Sequence, residues 1–198
     1  MTDLHSTEHH SHDDVHTKVV FGFWTFVLSD CVLFAALFAT YAVLHNNVWD
    51  NIGIAQVASL PFVLMQSLVL LTCSFTYGLS FTGFHNGNKG QVLFWLLITL
   101  LLGIVFISLE YHEFAILLQN GHSWQNSAFL SIFFTLVGTH GFHVIAALIW
   151  TLILLIQIGH QGLTSTMKTR MTCLGVFIHF LNLIWIFIFT IVYLMGAL

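Results

Sequence analysis

Five long apolar runs dominate the sequence and limit what it can fold into. They cover 19–44, 60–84, 91–118, 128–160 and 170–198, and each exceeds the roughly 20 helical residues that cross a bilayer core. Hydrocarbon offers no water to backbone amides, so a spanning segment is either a helix or a strand of a closed barrel. Barrel strands are shorter and alternate in polarity, whereas these runs are apolar throughout. The sequence therefore predicts an all-α polytopic membrane protein with five transmembrane helices. Ser59 is suited to cap the second run, and Pro61 falls in its first turn, where a missing N–H costs nothing.

The basic residues orient these spans. Lys18 precedes the first run, Lys89 lies between the second and third, and Lys168 and Arg170 lie at the join of the fourth and fifth. The segments 45–59 and 119–127 carry no Lys or Arg. Five spans bring every basic residue to one face, which the excess of positive charge on cytoplasmic loops makes the inner one. The N-terminus is then cytoplasmic and the C-terminus lies on the opposite side. Trp49 and Trp124 fall in the loops of that opposite face, where interfacial aromatics belong.

Only 6% of the 198 residues are charged, and four basic residues build no patch for nucleic acid. No P-loop, dinucleotide-binding turn or nucleophile elbow is present, and the loops are too short to fold as domains of their own. Cys31, Cys73 and Cys173 lie in or beside apolar runs without a C-x-x-C pair, and so read as packing residues. Residues 1–17 are acidic and histidine-rich (His5, His9, His10, His12 and His16). They lack the positive start and small-residue cleavage site of a signal peptide and read as a disordered cytoplasmic tail, a solvated segment rather than a metal site. Residues 18–198 form the membrane domain.

Ionisable groups at depth in hydrocarbon are costly, which makes each a candidate functional residue. At about 1.5 Å of rise per residue, Asp30 lies about 16 Å into the first span from the cytoplasmic side. His140 lies about 18 Å into the fourth span from the outer side, and His143 stands one turn deeper. His179 lies about 13 Å into the fifth span, with Asn182 a turn along. One carboxyl and three imidazoles thus reach similar depth. His140 and His143 share a helix face within GTHGFHV, whose Gly138 and Gly141 permit close approach of another helix. Ala35, Ala36 and Ala39 on the first span offer a matching small surface, and a contact between spans one and four would bring Asp30 to an imidazole. Glu110 and Glu113 form a second pair nearer the outer interface, with Gln66 at similar depth.

Three readings of these groups stand open: haem ligation by His179 with His140 or His143, a proton or ion path, and a polar network that fixes helix packing inside a larger assembly. Composition favours the last. A carboxylate-bundle metal cluster needs paired Glu-x-x-His motifs, and the chain has Glu-Tyr-His-Glu once, with its His on the wrong face.

The segments GFWTFVLSDCVLFAALFATYAVL (22–44), EYHE (110–113), GTHGFHV (138–144) and HFLNLIWIFIFTIVYLMG (179–196) resemble, in order and over the whole chain after the tail, subunit III of the haem–copper oxidases. LTSTMKTRMTCL (163–174) is most similar to the five-helix form found in bacterial quinol oxidases; the polar tail stands where the seven-helix form has two further helices. The resemblance implies a non-catalytic subunit of a ubiquinol-oxidising, oxygen-reducing, proton-pumping complex of the bacterial inner membrane, with a periplasmic C-terminus. It implies no cofactor in this chain; haems, copper and ubiquinol belong to other subunits. The implied partners are the catalytic haem–copper subunit I and membrane lipids. Asp30 matches the family's intramembrane carboxyl, where many members have Glu, and His140, His143, His179, Glu110 and Glu113 match recurring polar positions. These six form the expected polar network or lipid cleft. Asn182 departs from an HF-x-D pattern, which weakens a proton-relay role there. A small stand-alone proton-coupled transporter using Asp30 and the histidines is the alternative.

Overall fold

A computed structural model of the chain describes residues 3–44, 60–119 and 128–194, with side chains at 17–44, 61–119 and 129–194. It contains helices α1 (Asp3–Leu44), α2 (Leu60–His85), α3 (Lys89–Gln119), α4 (Ala128–Gln161) and α5 (Ser165–Phe187), the last continued by a π-helical segment, Ile188–Leu194. All five are long and apolar enough to cross a membrane. The α1 backbone is helical from Asp3, so residues 3–16 extend the helix beyond its membrane-spanning part, Thr17–Leu44. They contain no Gly or Pro that would break a helix already nucleated downstream. Trp49 and Trp124 lie outside the described residues.

Four helices close a ring, with α2 against α3, α3 against α4, α4 against α5, and α5 back against α2. Helix α1 lies outside this ring, against α4 and α5. The buried side of α3 runs Val92, Leu96, Thr99, Gly103, Phe106, Glu110, Glu113 and Leu117, a strict alternation of four- and three-residue steps that keeps one seam facing its neighbours. Gly103 lets α4 come close, because a Cβ there would collide with Leu148. On α1 the seam is Val27, Asp30, Phe34 and Tyr41. The small residues expected there, Ala35, Ala36 and Ala39, point outward. Phe34 meets α4 instead, its ring 5.4 Å from that of His143.

Two short turns hold the basic end of the bundle. Helix α2 ends with Asn88 N–H donating to Gly83 O and Gly87 N–H to Phe84 O, the paired bonds of a helix stop with a left-handed residue. Gly87 supplies it at φ 67°. Helix α4 ends likewise at Gly162, φ 74°, and Thr164 then caps α5 by accepting from Met167 N–H. Lys89 donates to Gly159 O at 2.8 Å and Arg170 to Gln157 Oε1 at 2.6 Å, which places the α2–α3 and α4–α5 turns at one end.

Candidate functional site

The expected residues that are buried fall into two clusters, and neither contains all six. The first joins α1 to α4. Asp30 Oδ2 lies 3.7 Å from His143 Nε2, so the carboxyl of span one meets His143, one turn deeper than His140. His143 Nδ1 is 2.7 Å from Thr139 O. A carbonyl only accepts, so Nδ1 carries a proton and donates. Nε2 is the ring nitrogen that faces the carboxyl. At 3.7 Å the two side chains form an ion pair whenever the imidazole is protonated. Rings of Phe34 and Phe177 flank the imidazole and exclude water from two sides.

The second cluster sits inside the ring of four. Gln66 Nε2 on α2 donates to Glu113 Oε2 at 3.2 Å, and Tyr193 O–H donates to Glu113 Oε1 at 3.2 Å. Tyr193 belongs to the π segment, whose backbone is in turn tied to α1 by the bond from Tyr41 O–H to Val192 O. Glu110 is buried with no protein hydrogen bond to either oxygen. Its carboxyl occupies the space left by Gly141, where a Cβ would lie 2.8 Å from Oε1. The expected use of the glycines is thus corrected: Gly141 makes room for Glu110 of span three, not for span one, and Gly138 has nothing within 4 Å of a Cβ. His140 is fully buried without a protein hydrogen bond at either nitrogen. It is enclosed by Phe106 and Trp185, with ring centroids 6.1 and 5.1 Å away. Trp185 Nε1 donates to Ser67 Oγ and completes the link between α5 and α2.

His179 belongs to neither cluster. It faces outward, its Nδ1 2.8 Å from Ser74 Oγ on α2. His140 is interior, His143 faces Asp30 and His179 is exterior, so no two of these imidazoles oppose each other as axial haem ligands. His112, between Glu110 and Glu113, is exposed. Among the described residues no group of three or more His, Cys, Asp or Glu side chains converges as a metal site. Cys31, Cys73 and Cys173 are free thiols, Cys73 donating to Thr99 O. Sequence reasoning missed Tyr193, Trp185 and Ser67. Their only signal was polarity within an apolar run, which every Tyr, Trp and Ser of a membrane span shows.

Five long apolar helices with buried polar ties define a multi-pass membrane protein. Residues 3–197 match the family described as cytochrome c oxidase subunit III, and the chain belongs to that family. It is 49% identical to cytochrome bo(3) ubiquinol oxidase subunit 3 of Pseudomonas aeruginosa, an alignment covering 100% of this chain and 96% of the relative. It is 40% identical to the protein of that name from Buchnera aphidicola subsp. Acyrthosiphon pisum, over 95% of this chain and 92% of the relative. It is 39% identical to quinol oxidase subunit 3 of Bacillus subtilis, over 89% of this chain and 87% of the relative.

Proposed function

We propose that the chain is the non-catalytic third subunit of a proton-pumping ubiquinol oxidase of the bacterial inner membrane, with a cytoplasmic N-terminus and a periplasmic C-terminus. One observation carries this reading: end-to-end similarity, at 49% and 48% identity, to two Pseudomonas relatives whose names specify ubiquinol oxidase subunit 3. A Bacillus relative named for cytochrome c oxidase stands lower, at 39%. Electron transfer from ubiquinol to oxygen then takes place on haems and copper in other subunits, chiefly the catalytic subunit I. This chain stabilises that subunit, holds lipid and supports proton uptake. No observation favours the stand-alone transporter.

The roles map onto the geometry. Support of proton uptake is assigned to the Asp30–His143 pair, a carboxyl and an imidazole brought within 3.7 Å between α1 and α4. Hydrogen bonds around Glu113 and Trp185 tie α2, α3 and the last helix together, at about 0.6 kcal/mol each in membranes, and His140 of α4 packs against Trp185. Lipid fits a cleft of ≈350 Å³ lined by Val19, Phe23, Phe26, Trp150 and Arg170. An anionic headgroup would meet Arg170 while its acyl chain lies along the aromatic wall of Phe23, Phe26 and Trp150.

Purifying the chain alone and recording its visible spectrum tests the non-catalytic assignment. No haem band is expected, and stoichiometric haem in the isolated chain would refute it.

A further inference from the structure

His179 stands where lipid cannot satisfy it. It is the fifteenth residue of the 30-residue span Ser165–Leu194, hence about 22 Å from either end. Headgroups begin only about 15 Å from the bilayer midplane, and an exposed imidazole at the centre of a span has no water to bond. Its Nδ1 is occupied by Ser74, and its Nε2 makes no hydrogen bond among the described residues. Along the outer side of α5 the exposed positions in this region are His179, Leu183 and Ile186, with Phe187 turned toward Phe38 of α1. On α2 the neighbouring exposed positions are Leu71 and Gly78, which flank Ser74 at three and four residues. Exposed polar side chains elsewhere on the spans, such as Thr25, Ser29, Thr40 and Ser108, bond their own helix four residues back, so they need no partner.

The same bundle shows how such a groove is filled. On the other side of α5, helix α1 lies against α4 and α5 and directs Asp30 at an imidazole of α4. The α2–α5 side carries an exposed imidazole, and among the described residues no helix lies over it. On α2 the groove side carries Ser74 and Gly78, whereas α3, on the far side of the ring, exposes Leu97, Leu101, Ile104 and Val105. A face destined for protein tolerates Ser, Thr and Gly, whereas a lipid face does not benefit from them.

We propose that the α2–α5 groove is the docking site for a transmembrane helix of a partner oxidase subunit, which places a hydrogen-bonding side chain or exposed backbone carbonyl at His179 Nε2. The assignment rests on the quinol-oxidase reading for the partner's identity. It fixes the face through which this chain joins the complex and predicts that α3 faces lipid.

Site-specific photocrosslinking in the assembled complex tests it. Leu71 and Leu183, 46% and 52% exposed, are replaced singly by a benzophenone amino acid, with Leu101 and Ile104 on α3 as controls. The expected result is an adduct to another oxidase subunit from positions 71 and 183 and none from 101 and 104. Absence of a subunit adduct at 71 and 183 in an intact complex would overturn the proposal, as would adducts joining two copies of this chain. In parallel, His179→Leu should lower the amount of this chain retained by the purified complex several-fold, while His179→Gln, which keeps a hydrogen-bonding group, retains it. Full retention with His179→Leu overturns the role of the imidazole. Failure of the quinol-oxidase reading looks different: the unsubstituted chain would bring down no oxidase subunit at all.

Discussion

The best-satisfied ionisable group in the bundle is Glu113, which accepts from Gln66 and Tyr193. Such bonds are worth about 0.6 kcal/mol and at most about 1.7 kcal/mol in membrane proteins. Tyr193→Phe should therefore destabilise the bundle by about 1 kcal/mol, and a double-mutant cycle with Glu113→Gln, read by denaturant unfolding in micelles, should return a coupling of similar size. No measurable coupling would show that the contact contributes no net stability. Gly141→Ala should cost more, about 1–3 kcal/mol, because the new methyl enters space held by the buried Glu110 carboxyl; a lowered melting temperature of the purified chain checks it. Depth along the chain was enough to anticipate that Asp30 meets an imidazole. Which imidazole was not legible: depth fixes height, but helix rotation decides between His140 and His143, and rotation is set by contacts such as Phe34 on the latter. Rotation also sends His179 outward although its depth matches the others.

The limits at the scale of elements have the same origin. Span number and approximate span limits followed from run length alone. The inward faces did not, because helices that are apolar all round carry no stripe to mark the core. That is why Ala35, Ala36 and Ala39 were placed inside on their size and are found outside. The π segment has no sequence signature either; a Cα-level reading of 188–194 gives a plain helix, and the wider turn that accompanies Tyr193 in the core emerges only in three dimensions. The turns are better encoded. Gly87 holds a left-handed conformation that costs an L-residue about 1–2 kcal/mol, so Gly87→Ala should destabilise by about 1 kcal/mol, measured by unfolding, whereas Gly90→Ala, with open space at its Cβ, should be neutral or slightly stabilising.

For the whole molecule, a ring of four helices is locked by an interior polar cluster, α1 packs beside it with Asp30 3.7 Å from His143, and the imidazole of His179 is left facing out. Asp30→Asn replaces the carboxyl by a neutral amide of the same shape. Assembly should proceed at wild-type yield, while oxidase turnover should decline faster with time as proton uptake loses its support. Loss of assembly would instead make Asp30 a packing residue. The central claim, that this chain works only as part of an oxidase, is tested most directly by native mass spectrometry of the complex extracted through a tag on the chain. The predicted mass contains one copy of it bound to larger subunits that carry haem and copper. A lone chain, or an assembly of copies of this chain only, would contradict the account.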